Sequence, residues 1–256
     1  MSSFTQVAKQ VAIDSGRGIR SIYYRLDRLS PEQRADDQLF QQFYEKIEGD
    51  MIEALLKLYP DHTFYANYHS GLSNSPRFTW YVGLSGAENF RLMTPHFSIT
   101  VALEMDGELQ SAVIYDPIAD KIVAEASKGL GVLSEDEEQR IRLGKSDGKI
   151  ENAFLLTALT TKEEDLERFG QMQFKCKAQR ILGDFAKDSA LVIKGHYSAY
   201  YAPTFDLCTL KAVQLIAGEA GLLVTDYQGG EKVEQSGHVV VTHPKLLKEL
   251  LQSLRL

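Results

Sequence analysis

Apolar residues recur every three to four positions at the start of the chain: Phe4, Val7, Ala8 and Val11, then Ile19, Ile22, Leu26 and Leu29. That spacing predicts an amphipathic helix. Ser15-Gly16-Arg17-Gly18 interrupts it, and two glycines costing about 1 kcal/mol each relative to alanine predict a bend there. Ser30-Pro31-Glu32-Gln33 reads as the next helix start: serine caps, proline suits the first turn, and Gln33 completes a capping box. Leu39, Phe43, Ile47, Met51 and Leu55 follow as a stripe at four-residue spacing, ending at Tyr59-Pro60. Two helices packed by their apolar faces therefore open the chain.

After Pro60 the period changes to that of strands. Residues 63–68 and 78–84 read as strands separated by the polar loop 70–77. Residues 97–103 and 109–115 flank Met105-Asp106-Gly107-Glu108, and Asp-Gly between two such runs is a strong hairpin signal. Residues 122–126 add a further strand, and 134–140 is a charge run that reads as a solvated turn. Beyond Lys149 the prediction alternates: strand 153–158, helix 161–169, helix 184–194, strand 197–201, helix 204–220, strand 222–226, strand 239–242 and a final leucine-rich helix. No internal repeat or low-complexity linker appears, and the mixed order predicts a layered α/β (α+β) architecture. The expected division is a segment 1–148, holding the helix pair and a large antiparallel sheet, and a segment 149–256 of α/β type, in one integrated unit.

Composition narrows the function classes. A chain of 256 residues with 25% charged and 44% hydrophobic residues is ordinary for a water-soluble domain. A net charge of −7 gives no electrostatic case for nucleic acid or an anionic membrane. Cys176 and Cys208 are too few for a disulfide framework. No signal-peptide pattern opens the chain, and no run reaches the roughly 20 apolar residues that span a bilayer. The expectation is a cytoplasmic protein without membrane or direct nucleic-acid contacts.

The stretch 79–117 carries the most specific words: Trp80, Gly86, Asn89, Phe90, Pro95-His96-Phe97, Asp106-Gly107 and Tyr115-Asp116-Pro117. It resembles the metal-binding core of the inositol monophosphatase family, where W-x-x-D-P-x-D-G-T-x-N-F leads through P-H-F to D-G and Y-D-P. Pro60-Asp61-His62, the run 217–226 and His243-Pro244-Lys245-Leu246 extend the likeness over nearly the whole chain. The resemblance implies an α-β-α-β-α sandwich, usually a homodimer, and phosphate monoester hydrolysis with magnesium held by clustered carboxylates.

The scaffold words survive and the acidic words do not. The family's G-E-E pair falls here on Asn67 and Tyr68, beside Ala66. The aspartates of D-P-x-D-G-T fall at Val82 and Ser85 when anchored on Gly86, or the first at Gly83 when anchored on Trp80. The activating threonine falls at Ala87, and a sugar-contacting glutamate near Ala202. Only the aspartate of the family's W-D is kept, as Asp206. This predicts a degenerate metal site and a non-catalytic pseudo-phosphatase acting through protein or ligand binding, with no cofactor required. The alternative is a magnesium-dependent phosphomonoesterase with a site rebuilt from Asp206, Glu88 and Asp184 or Asp188.

The individual residues have plainer readings too. Asp206 opens a helix, where exposed amides favour a carboxylate. His69 has the chemistry of a zinc ligand but also of a solvent-facing loop residue, and His96 reads as structural. Gly86 and Ala87 offer backbone N–H groups to a phosphorylated small molecule. Tyr65, Tyr68, Tyr197, Tyr200 and Tyr201 read as packing, or as a filled cleft and protein contact surface. No Walker loop, H-E-x-x-H or G-x-S-x-G occurs.

Overall fold

The computed structural model describes residues 3–68, 77–135, 140–141, 143–144, 146–158 and 160–255. Helix α1 (Ser3–Tyr23) runs unbroken through the predicted bend. The reason is close packing rather than flexibility: Gly16 is buried, and a Cβ there would lie 2.2 Å from Cε1 of Tyr115. Gly18 faces open space. Ser30 and Gln33 form the expected capping box on α2 (Pro31–Ala35). That helix stops after five residues, and the Asp36 side chain caps α3 (Asp37–Leu58) by accepting from Gln38 N and Leu39 N. The buried stripe of α3 is Phe40, Tyr44, Ile47, Met51 and Leu55, so Leu39 and Phe43 lie only at its flank.

Strand β1 (Thr63–Ala66) pairs in parallel with β2 (Phe78–Ser85), which leads into the short helix α4 (Ala87–Arg91). Next come β3 (Ser98–Met105), β4 (Glu108–Asp116), β5 (Lys121–Ser127) and β6 (Val132–Leu133), completing a six-stranded sheet in chain order. The predicted hairpin is present, with Asp106 at φ 53° and Gly107 at φ 80° as a two-residue primed turn needs. Residues 136–139 of the charge run lie outside the described residues.

The second sheet contains β7 (Phe154–Thr157), and helix α5 (Glu163–Lys175) leads to β8 (Ala178–Arg180), a strand not anticipated from sequence. Helix α6 (Phe185–Ile193), β9 (Ala199–Ala202), α7 (Leu207–Glu219), β10 (Leu223–Thr225), α8 (Val233–Ser236), β11 (Val239–Thr242) and α9 (Pro244–Leu254) complete the chain. The sheet order is β10-β11-β9-β7-β8.

Strand alternation sorts these elements into five layers. On the first sheet Trp80, Val82, Val101, Leu103, Val113 and Tyr115 pack against α1 and α3. The intervening Tyr81, Ala102, Ala112, Ile114 and Ala124 face α6 and α7. The second sheet closes over those two helices with Leu156, Tyr200 and Val239, while its outer face carries Leu155, Tyr201 and Val240 against α9. The order is helix, sheet, helix, sheet, helix. Among the described residues no helix is long and apolar enough to cross a membrane.

The two glycines of α1 give a matched test. Gly16→Ala is expected to destabilise by about 1–3 kcal/mol through overpacking against Tyr115, and Gly18→Ala to stabilise by about 0.5–1 kcal/mol, both read from urea unfolding midpoints.

Candidate functional site

The end of β2 sets the site. Gly86 adopts φ 77°, and a Cβ there would lie 3.0 Å from the His96 carbonyl oxygen and 3.1 Å from Cβ of Asp184. The turn is pinned on both sides. Asn89 Nδ2 donates to the carbonyls of His96 and Leu182, each at 2.7 Å, and Tyr44 Oη donates to the carbonyl of Ala87 at 3.0 Å. Trp80 Nε1 donates to His62 Nδ1 at 2.9 Å. The surviving motif residues therefore hold the frame of the site.

Within that frame Ser85, Gly86, Ala87, Glu88 and Asp206 border one cleft of about 470 Å³, together with Asp188, Tyr68, Tyr200 and the start of α6. Gly83 explains how the two ends meet. A Cβ there would lie 2.9 Å from Nδ2 of Asn67, and that amide donates to Asp206 Oδ1 at 3.0 Å. Val82, the other position considered for a lost aspartate, is fully buried on the opposite face against α1 and α3. Ser85 Oγ accepts from Ala186 N at 3.3 Å, tying the strand to α6.

Asp206 caps α7 by accepting from Thr209 N at 2.7 Å. Desolvation pushes its carboxyl above the ordinary range, against the lowering effect of the Thr209 and Asn67 donors, and repulsion from Asp184 adds to the rise. Asp184 caps α6 through Ala186 N and Lys187 N and accepts from Ser98 Oγ, all on Oδ1, leaving Oδ2 buried without a partner. Asp188 Oδ1 lies 2.8 Å from His96 Nε2. Burial raises Asp188 to about 6, the His96 hydrogen bond opposes this, and Asp184 repels it further. His96, read from sequence as structural, is paired with an acid of the cleft wall.

A fourth carboxylate escaped the sequence reading. Glu48 on α3 is fully buried and accepts from Tyr68 N at 2.6 Å, with its Oε1 unpartnered. Burial pushes it up to about 7, opposed by the Tyr68, Asn67 and Leu84 amides and reinforced by Asp206. Its signal was available: Glu48 sits four residues from both Tyr44 and Ile52, inside the apolar stripe.

The other residues singled out from sequence fall in different places. Ala202, proposed near a lost substrate contact, is buried in β9 opposite Val239 and does not line the cleft. Of the five tyrosines only Tyr68 and Tyr200 line it. Tyr201 faces the other side and bonds to Gln179, Tyr65 stacks on Tyr81, and Tyr197 borders a separate cavity. His69 lies outside the described residues. Glu88 is exposed on α4. Among the described residues no group of three or more His, Cys, Asp or Glu side chains is arranged to hold a metal ion, and the Oδ1 atoms of Asp206, Asp184 and Asp188 are each hydrogen-bonded within the protein.

Comparison with known proteins places this arrangement. The sequence model described as the inositol monophosphatase family matches residues 1–255. A protein of Pasteurella multocida described as Nus factor SuhB is 29% identical over 265 residues, covering 100% of this chain and 97% of its own length. In solved structures, the extragenic suppressor protein suhB of Bartonella henselae superposes with TM-score 0.87 at 22% identity, over 99% of both chains. An inositol monophosphatase of Anabaena (Nostoc) superposes with TM-score 0.82 at 20% identity, over 98% of this chain and 95% of that one. At those identities the superpositions establish the fold alone.

The buried acids make stability depend on pH with a definite sign. Glu48 and Asp188 bind protons more tightly folded than unfolded, so their contribution is full below the ordinary carboxylate range. It is lost as pH rises through about 6 for Asp188 and about 7 for Glu48. The unfolding free energy is expected to fall between pH 5 and pH 8, with about 2–3 kcal/mol of that fall coming from Glu48. Denaturant titrations at stepped pH check this, and Glu48→Gln should flatten the slope.

Proposed function

Because the chain belongs to the inositol monophosphatase family, we propose that it is a non-catalytic member of it, a pseudo-phosphatase that acts through protein or ligand contacts. One observation carries the reading. The wall facing Asp206 is built from Asn67, Gly83, Ser85 and Ala87, and Asp206 itself is engaged by Thr209 and Asn67. Hard divalent ions are held by several converging oxygens, most of them charged, and these residues supply neutral groups in their place. The Pasteurella relative, described as a Nus factor, fits a role exercised through partners. On this reading the protein works in the cytoplasm as a homodimer, without a required metal.

A second reading has its own support, since Glu88, Asp188 and Asp206 border the same cleft. It makes the protein a magnesium-dependent phosphomonoesterase with a rebuilt site, and Asp184 lies close behind. The two readings separate in one pair of measurements. Phosphate release from sugar and nucleotide monophosphates with magnesium is expected to equal the metal-free control, and calorimetry to show no micromolar magnesium isotherm. Metal-dependent turnover, with magnesium affinity reduced about tenfold or more in Asp206→Asn, would establish the rebuilt site instead.

A further inference from the structure

Helix α5 sorts its side chains by chemistry as well as by face. Its inner face packs on α9, with Met172 fully buried in the cluster that holds Leu250 and Leu254. Both basic side chains of the helix turn the same way. Arg168 donates to the Leu254 carbonyl at 3.2 Å and pairs with Glu164 and Asp165. Lys175 donates to the Ser253 carbonyl at 3.0 Å. The two cations thus satisfy carbonyls at the C-terminal end of α9.

The outer face of α5 keeps an apolar row beside an acidic one. Leu166, Gly170 and Phe174 follow at four-residue spacing, and Glu163, Glu167 and Gln171 form the neighbouring row. Phe174 is 93% exposed and Leu166 53%. A Cβ at Gly170 would meet nothing within 4 Å. No internal packing requires a glycine there, and it leaves a notch between two exposed apolar side chains. Glu163 and Glu167 are exposed, and Gln171 donates to Glu167 Oε1 at 3.1 Å. Lys162 and Lys177 lie beyond the two ends of the helix. Among the described residues none of α5 borders the cleft.

Three kinds of occupant meet this face differently. An anionic surface, lipid or nucleic acid, is repelled by the acidic row. Pairing two copies through α5 brings identical acidic rows together, between chains that each carry a net charge of −7. A basic amphipathic helix meets neither obstacle. Its apolar side chains seat against Leu166 and Phe174 and in the Gly170 notch, while its Lys or Arg side chains face the two glutamates.

We propose that the outer face of α5 docks a basic amphipathic helix of a partner protein, with Phe174 and Leu166 as apolar anchors and Glu163 and Glu167 as the charged contacts. This gives the protein-contact form of the non-catalytic reading its surface and partner chemistry, and rests on that form.

Fluorescence anisotropy on the full chain tests it. The probe is a labelled four-turn leucine–lysine amphipathic peptide, and its leucine–glutamate counterpart is the comparison. Saturable binding of the lysine peptide is expected, weakened about tenfold or more in Phe174→Ser and about fivefold in Glu163→Gln/Glu167→Gln. Leu58→Ser, at an exposed position on α3, should leave it unchanged. In Glu163→Lys/Glu167→Lys the preference should invert toward the glutamate peptide. All these positions are exposed, so the substitutions spare the core. Absence of saturable binding, an effect of Leu58→Ser as large as that of Phe174→Ser, or a charge-reversed variant that still prefers the lysine peptide would overturn the proposal. Self-association abolished by Phe174→Ser, read by sedimentation, would assign the face to a second copy and overturn it too. Those results leave the phosphatase assay untouched, whereas metal-dependent turnover overturns the non-catalytic reading whatever the peptide does.

Discussion

A carboxylate taken out of water must be compensated, and the centre of this molecule compensates its carboxylates mainly with neutral hydrogen-bond donors. Asp184 and Asp206 each cap a central helix, Glu48 accepts from the amide that follows β1, and Asp188 leans on an imidazole. Helix N-termini and strand-end amides stabilise negative charge without neutralising it. Burial first, and mutual repulsion to a lesser degree, raise the titration of Glu48, Asp188 and Asp206. The first sheet, the α6–α7 layer and the loop after β1 are thus joined by groups that also set the electrostatics of the cleft.

The conserved-looking words of the sequence have structural tasks that do not depend on any ligand. Gly86 admits the His96–Phe97 backbone, Asn89 ties that backbone to Leu182, and Trp80 is fixed to His62 within a stack including Tyr59 and Phe78. Such residues keep a frame in place whatever side chains project from it. Fold and chemistry can therefore part company within one family.

Asn67 and Gly83 join the first sheet to the start of α7. With no side chain at Gly83, the Asn67 amide reaches across β2 to Asp206. A neutral donor thereby occupies an oxygen that would otherwise face the cleft alone. The result is a site whose strongest acid contacts run inward to the protein, leaving aromatic rings and a few carboxylate edges to meet what enters.

The sequence by itself determined the layered fold, the helix caps at Ser30 and Asp206, the Asp106-Gly107 hairpin and the position of most strands. Those features rest on short-range periodicity, capping chemistry and turn geometry, which a linear pattern records. The unbroken course of α1 was not legible, because Gly16 serves contact with Tyr115, a residue 99 positions away. The burial of Glu48, the His96–Asp188 pair and the inward turn of Ala202 were equally hidden. Each depends on which face of a strand or helix meets a distant element, and only the packed layers decide that.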